Sequence, residues 1–123
     1  IMSEVHSDQL KQALSRAIEY HRAGELELAE QAYEEVLKID SEQPDALHLS
    51  GVIAHRLGDS EIAKARIFKS LAIEPKQVNA WNNLGNVYAE LSQWPLAIEA
   101  YEKALAFNPE YTMAYMNLGD VYL

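Results

Sequence analysis

Five asparagines carry the densest polar chemistry in the chain: Asn79, Asn82, Asn83 and Asn86 in one short segment, and Asn117 further on. A carboxamide both donates and accepts, so it can satisfy a peptide group whatever side chain that peptide bears. Asn83 and Asn117 stand 34 residues apart. The histidines His6, His21, His48 and His55 are the candidates for acid–base or metal chemistry. His48 and His55 lie two turns apart on one helix face, too far for a simple shared metal. Glu19 and His21 point in different directions. There is no cysteine, HExxH pair, Gly-rich phosphate loop or G-x-S-x-G element, so the chain is read as non-catalytic, without metal or cofactor.

The elements that must position these side chains follow from a 34-residue period. Trp81, Leu84, Gly85, Tyr88, Ala97, Tyr101, Ala104 and Pro109 form one copy. One period earlier stand Leu47, Ser50, Gly51, Ala54, Ala63, Ile67, Ser70 and Pro75; one period later, Tyr115, Leu118, Gly119 and Tyr122. A fainter copy holds Ala13, Arg16, Ala17, Tyr20, Ala29, Tyr33, Val36 and Ser41. The resulting units are a lead-in over 1–9, expected to fray, then 10–43, 44–77, 78–111 and the first helix of a fourth over 112–123.

Each full unit reads as two helices, because apolar residues recur at spacings of three and four. In the third unit the first helix is expected over 78–90 and the second over 93–107. Ser92 is the expected N-cap, and Pro95 is tolerable in the first turn. Asn108-Pro109 should end the second helix. Gly58 makes the corresponding turn in the second unit, with Asp59 as cap, and Gly24 serves in the first. Ala17, Gly51, Gly85 and Gly119 share one repeat position, where a small residue lets facing helices approach closely.

Composition narrows the partners. Hydrophobic residues make up 49% and charged residues 24%, so disorder is excluded. No run approaches the ~20 apolar residues needed to span a bilayer, and the start lacks the pattern of a secretory signal. The net charge is −9, spread as −6 over 1–43, +1 over 44–77 and −4 over 78–123. Without a positive stripe, nucleic acid and anionic membranes are excluded as partners. A neutral or basic partner is left. The lack of cysteine suits a reducing compartment, and the cytoplasm is expected.

The W-x2-L-G-x2-Y pattern at this period resembles the tetratricopeptide repeat family over about residues 10–123. The resemblance implies an all-α, right-handed superhelical solenoid of antiparallel helix pairs. Its first helices would line a concave groove that holds a protein or an extended peptide. Carrying over the family's lining positions puts His48, Val52, His55 and Arg56 in that groove, followed by Asn79, Asn82, Asn83 and Asn86. Met113, Met116, Asn117 and Asp120 complete the lining. Asn83 and Asn117 further resemble the asparagine ladder in repeat arms of O-linked N-acetylglucosamine transferases, which implies a grip on a peptide main chain; the bland alternative is asparagine tolerating solvent. Some family members clamp a partner's C-terminal carboxylate with lysine, arginine and asparagine. Here those positions hold Leu14, Ile18, Leu49, Asn79 and Asn83, so that clamp is absent. A fourth unit that begins without a second helix implies part of a longer array, and its uncapped end could self-associate. A structural spacer, or the substrate-binding arm of a glycosyltransferase-like enzyme, stays open beside the binding module.

Overall fold

The computed structural model describes residues 4–122, and all its regular structure is helical. The order is α1 (Glu4–Arg22), α2 (Leu26–Ile39), α3 (Pro44–Arg56), α4 (Ser60–Ile73), α5 (Val78–Glu90), α6 (Trp94–Phe107) and α7 (Thr112–Tyr122). Helix α1 already runs from Glu4, so within the described residues the expected lead-in is helical; residues 1–3 and 123 lie outside them.

Three hairpins, α1–α2, α3–α4 and α5–α6, stack in sequence, and α7 leans on the third. First helices also touch one another, α3 on α5 and α5 on α7, whereas no comparable contact joins α2 to α4 or α4 to α6. The first helices therefore lie on the inner side of the curve and the second helices splay on the outer. This is a solenoid of helix pairs.

Small residues decide how closely each pair packs. A Cβ on Gly85 would overlap the Tyr101 ring, and one on Gly51 would sit 2.7 Å from Ile67 Cγ1 and 3.2 Å from the Ala63 carbonyl oxygen. Gly119, at the same register, has nothing within 4 Å, so the steric need expected there is not present. The core runs as two clusters. One joins Ala17, Tyr33 and Val36 to Ile53; the other joins Ala54 and Ile67 to Leu84, Tyr101 and Ala114.

Two repeated devices finish the hairpins. The Trp81 indole Nε1 donates to the Pro75 carbonyl at 2.7 Å, and one period later the Tyr115 hydroxyl donates to the Pro109 carbonyl at 3.0 Å. At the tight turn, Gly24 and Gly58 take positive φ of 78° and 90°, and Ser92 takes 57° at the same register. Ser92 is thus a turn residue and not the cap: Gln93 holds the N-cap place of α6 and makes no side-chain cap bond. Pro95 sits in the first turn as expected, and Asp59 caps α4 by accepting from Ile62 N at 3.4 Å.

Candidate functional site

The inner face is built from α1, α3, α5 and α7, and its polar side chains are wired to one another between neighbouring helices. Asn83 Nδ2 on α5 donates to His48 Nε2 on α3 at 2.8 Å. One unit on, Asn117 Nδ2 on α7 donates to Asn82 Oδ1 on α5 at 2.9 Å. The two bridges share one register, the fifth residue of a unit to the sixth of the next. Between the first two units that register holds Leu14 and Leu49, both packed against the N-terminal cluster. An apolar rung thus replaces the polar one.

Tyrosines tie down the other asparagines. Tyr101 on α6 reaches through to donate to Asn86 Oδ1, and Tyr111 donates to Asn79 Oδ1, each at 2.6 Å. The Tyr33 hydroxyl lies 3.2 Å from His21 Nδ1 in the first unit. Each of the five asparagines commits one amide atom internally and keeps the other. Asn82, only 1% exposed, keeps a buried Nδ2 without a partner.

Burial sets the protonation of this face. Removal from water pushes the His48 imidazole down to about 4; Asp45 opposes the shift and His21 adds to it. An amide N–H can only donate, so neutral His48 accepts at Nε2 and carries its proton on Nδ1. His21 is lowered too, by burial and then by Arg56. Tyr101 is raised to about 12, first by burial and then by Asp120.

Two open depressions follow the face. One, of about 450 Å³, is bordered by His55, Asn86, Glu90, Tyr101, Asn117 and Asp120. The other, of about 370 Å³, is bordered by Asp45, His48, Leu49, Gln77 and Asn79. At the edge of the first of these, His55 Nδ1 is buried without a partner. The structure thus brings together His55, Asn86, Asn117 and Asp120 in one place and His48 and Asn79 in another, with Asn82 and Asn83 in the rungs. Met113 and Met116 are exposed on α7, and Met113 Sδ lies 3.8 Å from the Tyr111 hydroxyl. Val52 is half-buried and Arg56 exposed on α3, and neither borders a depression. Tyr101, Trp94 and Gln77 were not expected here. For Tyr101 the signal was available: units one and three carry tyrosine where unit two has Ile67, and only a hydroxyl needs a polar partner across the hairpin.

No group of three or more histidine, aspartate or glutamate side chains is placed to hold a metal among the described residues. No helix among them is long and apolar enough to cross a membrane.

Models of the tetratricopeptide repeat match residues 14–63 and 78–111, together more than half of the chain. The chain belongs to the tetratricopeptide repeat family. Among solved structures of this fold, the first such domain of Spaghetti (RPAP3), bound to the HSP90 peptide SRMEEVD, superposes with a TM-score of 0.90 at 18% identity. That alignment covers 94% of this chain and 92% of that one. The second such domain of human RPAP3, in complex with the HSP70 peptide SGPTIEEVD, has a TM-score of 0.89 at 15% identity, covering 96% and 98%. A Thermobaculum terrenum O-GlcNAc transferase is 29% identical with a TM-score of 0.93. The alignment covers 98% of this chain but only 23% of the transferase, so the repeats here correspond to less than a quarter of it. No curated protein matches the chain.

Proposed function

We propose that these repeats are a binding module whose inner face holds an extended, neutral to basic segment of another protein. Repeats of this family are typically non-catalytic scaffolds, and two of the solved neighbours hold peptides. The observation that carries the reading is the half-spent asparagine row. Oδ1 of Asn83 and Asn117 and Nδ2 of Asn79 and Asn86 have no partner among the described residues, while their opposite atoms are fixed by His48, Asn82, Tyr111 and Tyr101. Held this way, the amides present acceptors and donors at low entropic cost, which favours a peptide backbone.

Charge selects the kind of segment. The acidic HSP90 and HSP70 tails of the neighbours would need cations, and here the corresponding inner positions are Leu14, Ile18, Leu49, Asn79 and Asn83. Asp45, Glu90 and Asp120 border the depressions instead. An acidic tail is therefore repelled and a lysine- or arginine-bearing segment attracted. Similarity to the transferase supports a substrate-holding arm as one setting for such a module.

The test is a peptide array screened with the parent and with the Asn83→Ala, Asn117→Ala double variant, its fold checked by circular dichroism. The expected outcome is capture of neutral and basic peptides, weakened at least about tenfold in the variant. Capture of no peptide, or equal capture by the folded variant, overturns the proposal. Exposed Met113, Tyr115 and Met116 on α7 favour one competing reading, self-association. Light scattering against concentration separates the two.

A further inference from the structure

The outer face carries an apolar surface that the inner face does not use. Where the second helices splay, α4 and α6 leave a pocket of about 490 Å³ bordered by Ala65, Phe68, Tyr88 and Leu96. On the other flank of Phe68, a smaller one of about 180 Å³ is bordered by Leu71, Ala72 and Trp81. Phe68 stands between them, 56% exposed.

The repeat register says that packing does not require this aromatic. The positions of Ala65, Phe68 and Ala72 hold Gln31, Glu34 and Lys38 one period earlier, and Glu99, Glu102 and Ala106 one period later. The neighbouring hairpins fold with glutamate where the second exposes phenylalanine. A bulky apolar side chain left in water at a position that tolerates charge is a mark of an interaction surface.

Charge around the ridge has the opposite sign to the rest of the molecule. Lys64 and Lys69 border the larger pocket. Lys103, one period after Lys69, lies 6.0 Å from the centre of the Trp81 ring, beside the smaller one. Glu61 pairs with Lys64 at 3.1 Å, and Glu99 approaches Tyr88 from α6. Lys69 and Lys103 have no carboxylate partner among the described residues. Gln93 Oε1, at the edge of the larger pocket, is buried without a hydrogen-bond donor.

We propose that this ridge docks an acidic amphipathic helix from a partner protein. Two of its apolar side chains, one turn apart, straddle Phe68 and fill the two pockets, and its carboxylates meet Lys69 and Lys103. Apolar anchors at helical spacing are what a groove between splayed helices accepts, and the lysines select against a basic helix.

The probe is a synthetic helix with leucines one turn apart and glutamates between them, titrated into the isotopically labelled chain, with a lysine counterpart as control. Amide shifts are expected at Ala65, Phe68 and Leu96 with the glutamate peptide only. Phe68→Glu, the side chain found at this register in both flanking hairpins, should weaken binding at least about tenfold, and so should Lys69→Glu. The Asn83→Ala, Asn117→Ala variant should bind as the parent does, which separates this surface from the inner one. Shifts confined to the inner face, equal binding of the lysine peptide, or unchanged binding by Phe68→Glu overturns the proposal. Self-association abolished by Phe68→Glu also overturns it, because the occupant would then be a second copy of the chain.

Discussion

Ser92 holds a backbone conformation that its two counterparts assign to glycine. At φ 57° it sits in the left-handed region, which costs a residue with a Cβ about 1–2 kcal/mol relative to the right-handed one. Glycine avoids that strain but is freer in the unfolded chain, which returns part of the gain. Ser92→Gly is therefore expected to stabilise the fold by about 1 kcal/mol, read as a higher urea midpoint at unchanged slope. His48 makes a pH-dependent contribution. Its imidazole has its ordinary value of 6.5 in the unfolded chain and about 4 in the folded one, so between those pH values the unfolded state binds more protons. Stability is then complete above pH 6.5 and falls as the pH drops toward 4, by an upper bound of roughly 3 kcal/mol. His48→Gln keeps an acceptor for Asn83 without a titrating group. Urea melts at pH 7 and pH 5 should differ less for this variant than for the parent.

At the scale of elements, the hairpin contact is an exchange between a glycine and a ring. Tyr101 packs directly over Gly85, and its hydroxyl is held by Asn86, so the ring cannot swing aside without losing that part-buried hydrogen bond. Gly85→Ala should cost roughly 1–3 kcal/mol through overpacking, even though alanine is the better helix former. At Gly119, with open space around the Cβ position, only helix propensity operates, and Gly119→Ala should stabilise α7 by up to about 1 kcal/mol. Thermal melts of the two variants should therefore shift in opposite directions. The helices themselves were legible, because three- and four-residue spacings bury one face at any sequence position. The α5 bounds of 78–90 follow from that pattern alone. The start of α6 was placed within one residue, but its cap was not legible. Serine is both a good cap and a tolerable turn residue, and which role it plays depends on the path of the chain between two packed helices.

At the scale of the whole molecule, stability accrues from contacts between neighbours, since each hairpin touches only the next. The middle of the stack should open last. Helix α1 buries Ala13 and Ala17 and α7 only Ala114 among their described residues, whereas α3 and α5 bury residues against hairpins on both sides. Native-state hydrogen exchange is expected to show α1 and α7 exchanging well before α3 to α5. Uniform protection along the chain would contradict neighbour-by-neighbour stacking. The sequence by itself determined the repeat, the helix pairs and the family, because those rest on periodic burial and steric fit, which each unit states in its own residues. It also supplied the candidate asparagines. Only the tertiary structure decided that Asn83 answers His48, that Asn117 answers Asn82, and that Phe68 forms a ridge between two outer pockets. Those partners are a whole repeat apart or lie on separate helices. Their meeting is set by how one hairpin stacks on the next, a geometry that no single repeat encodes.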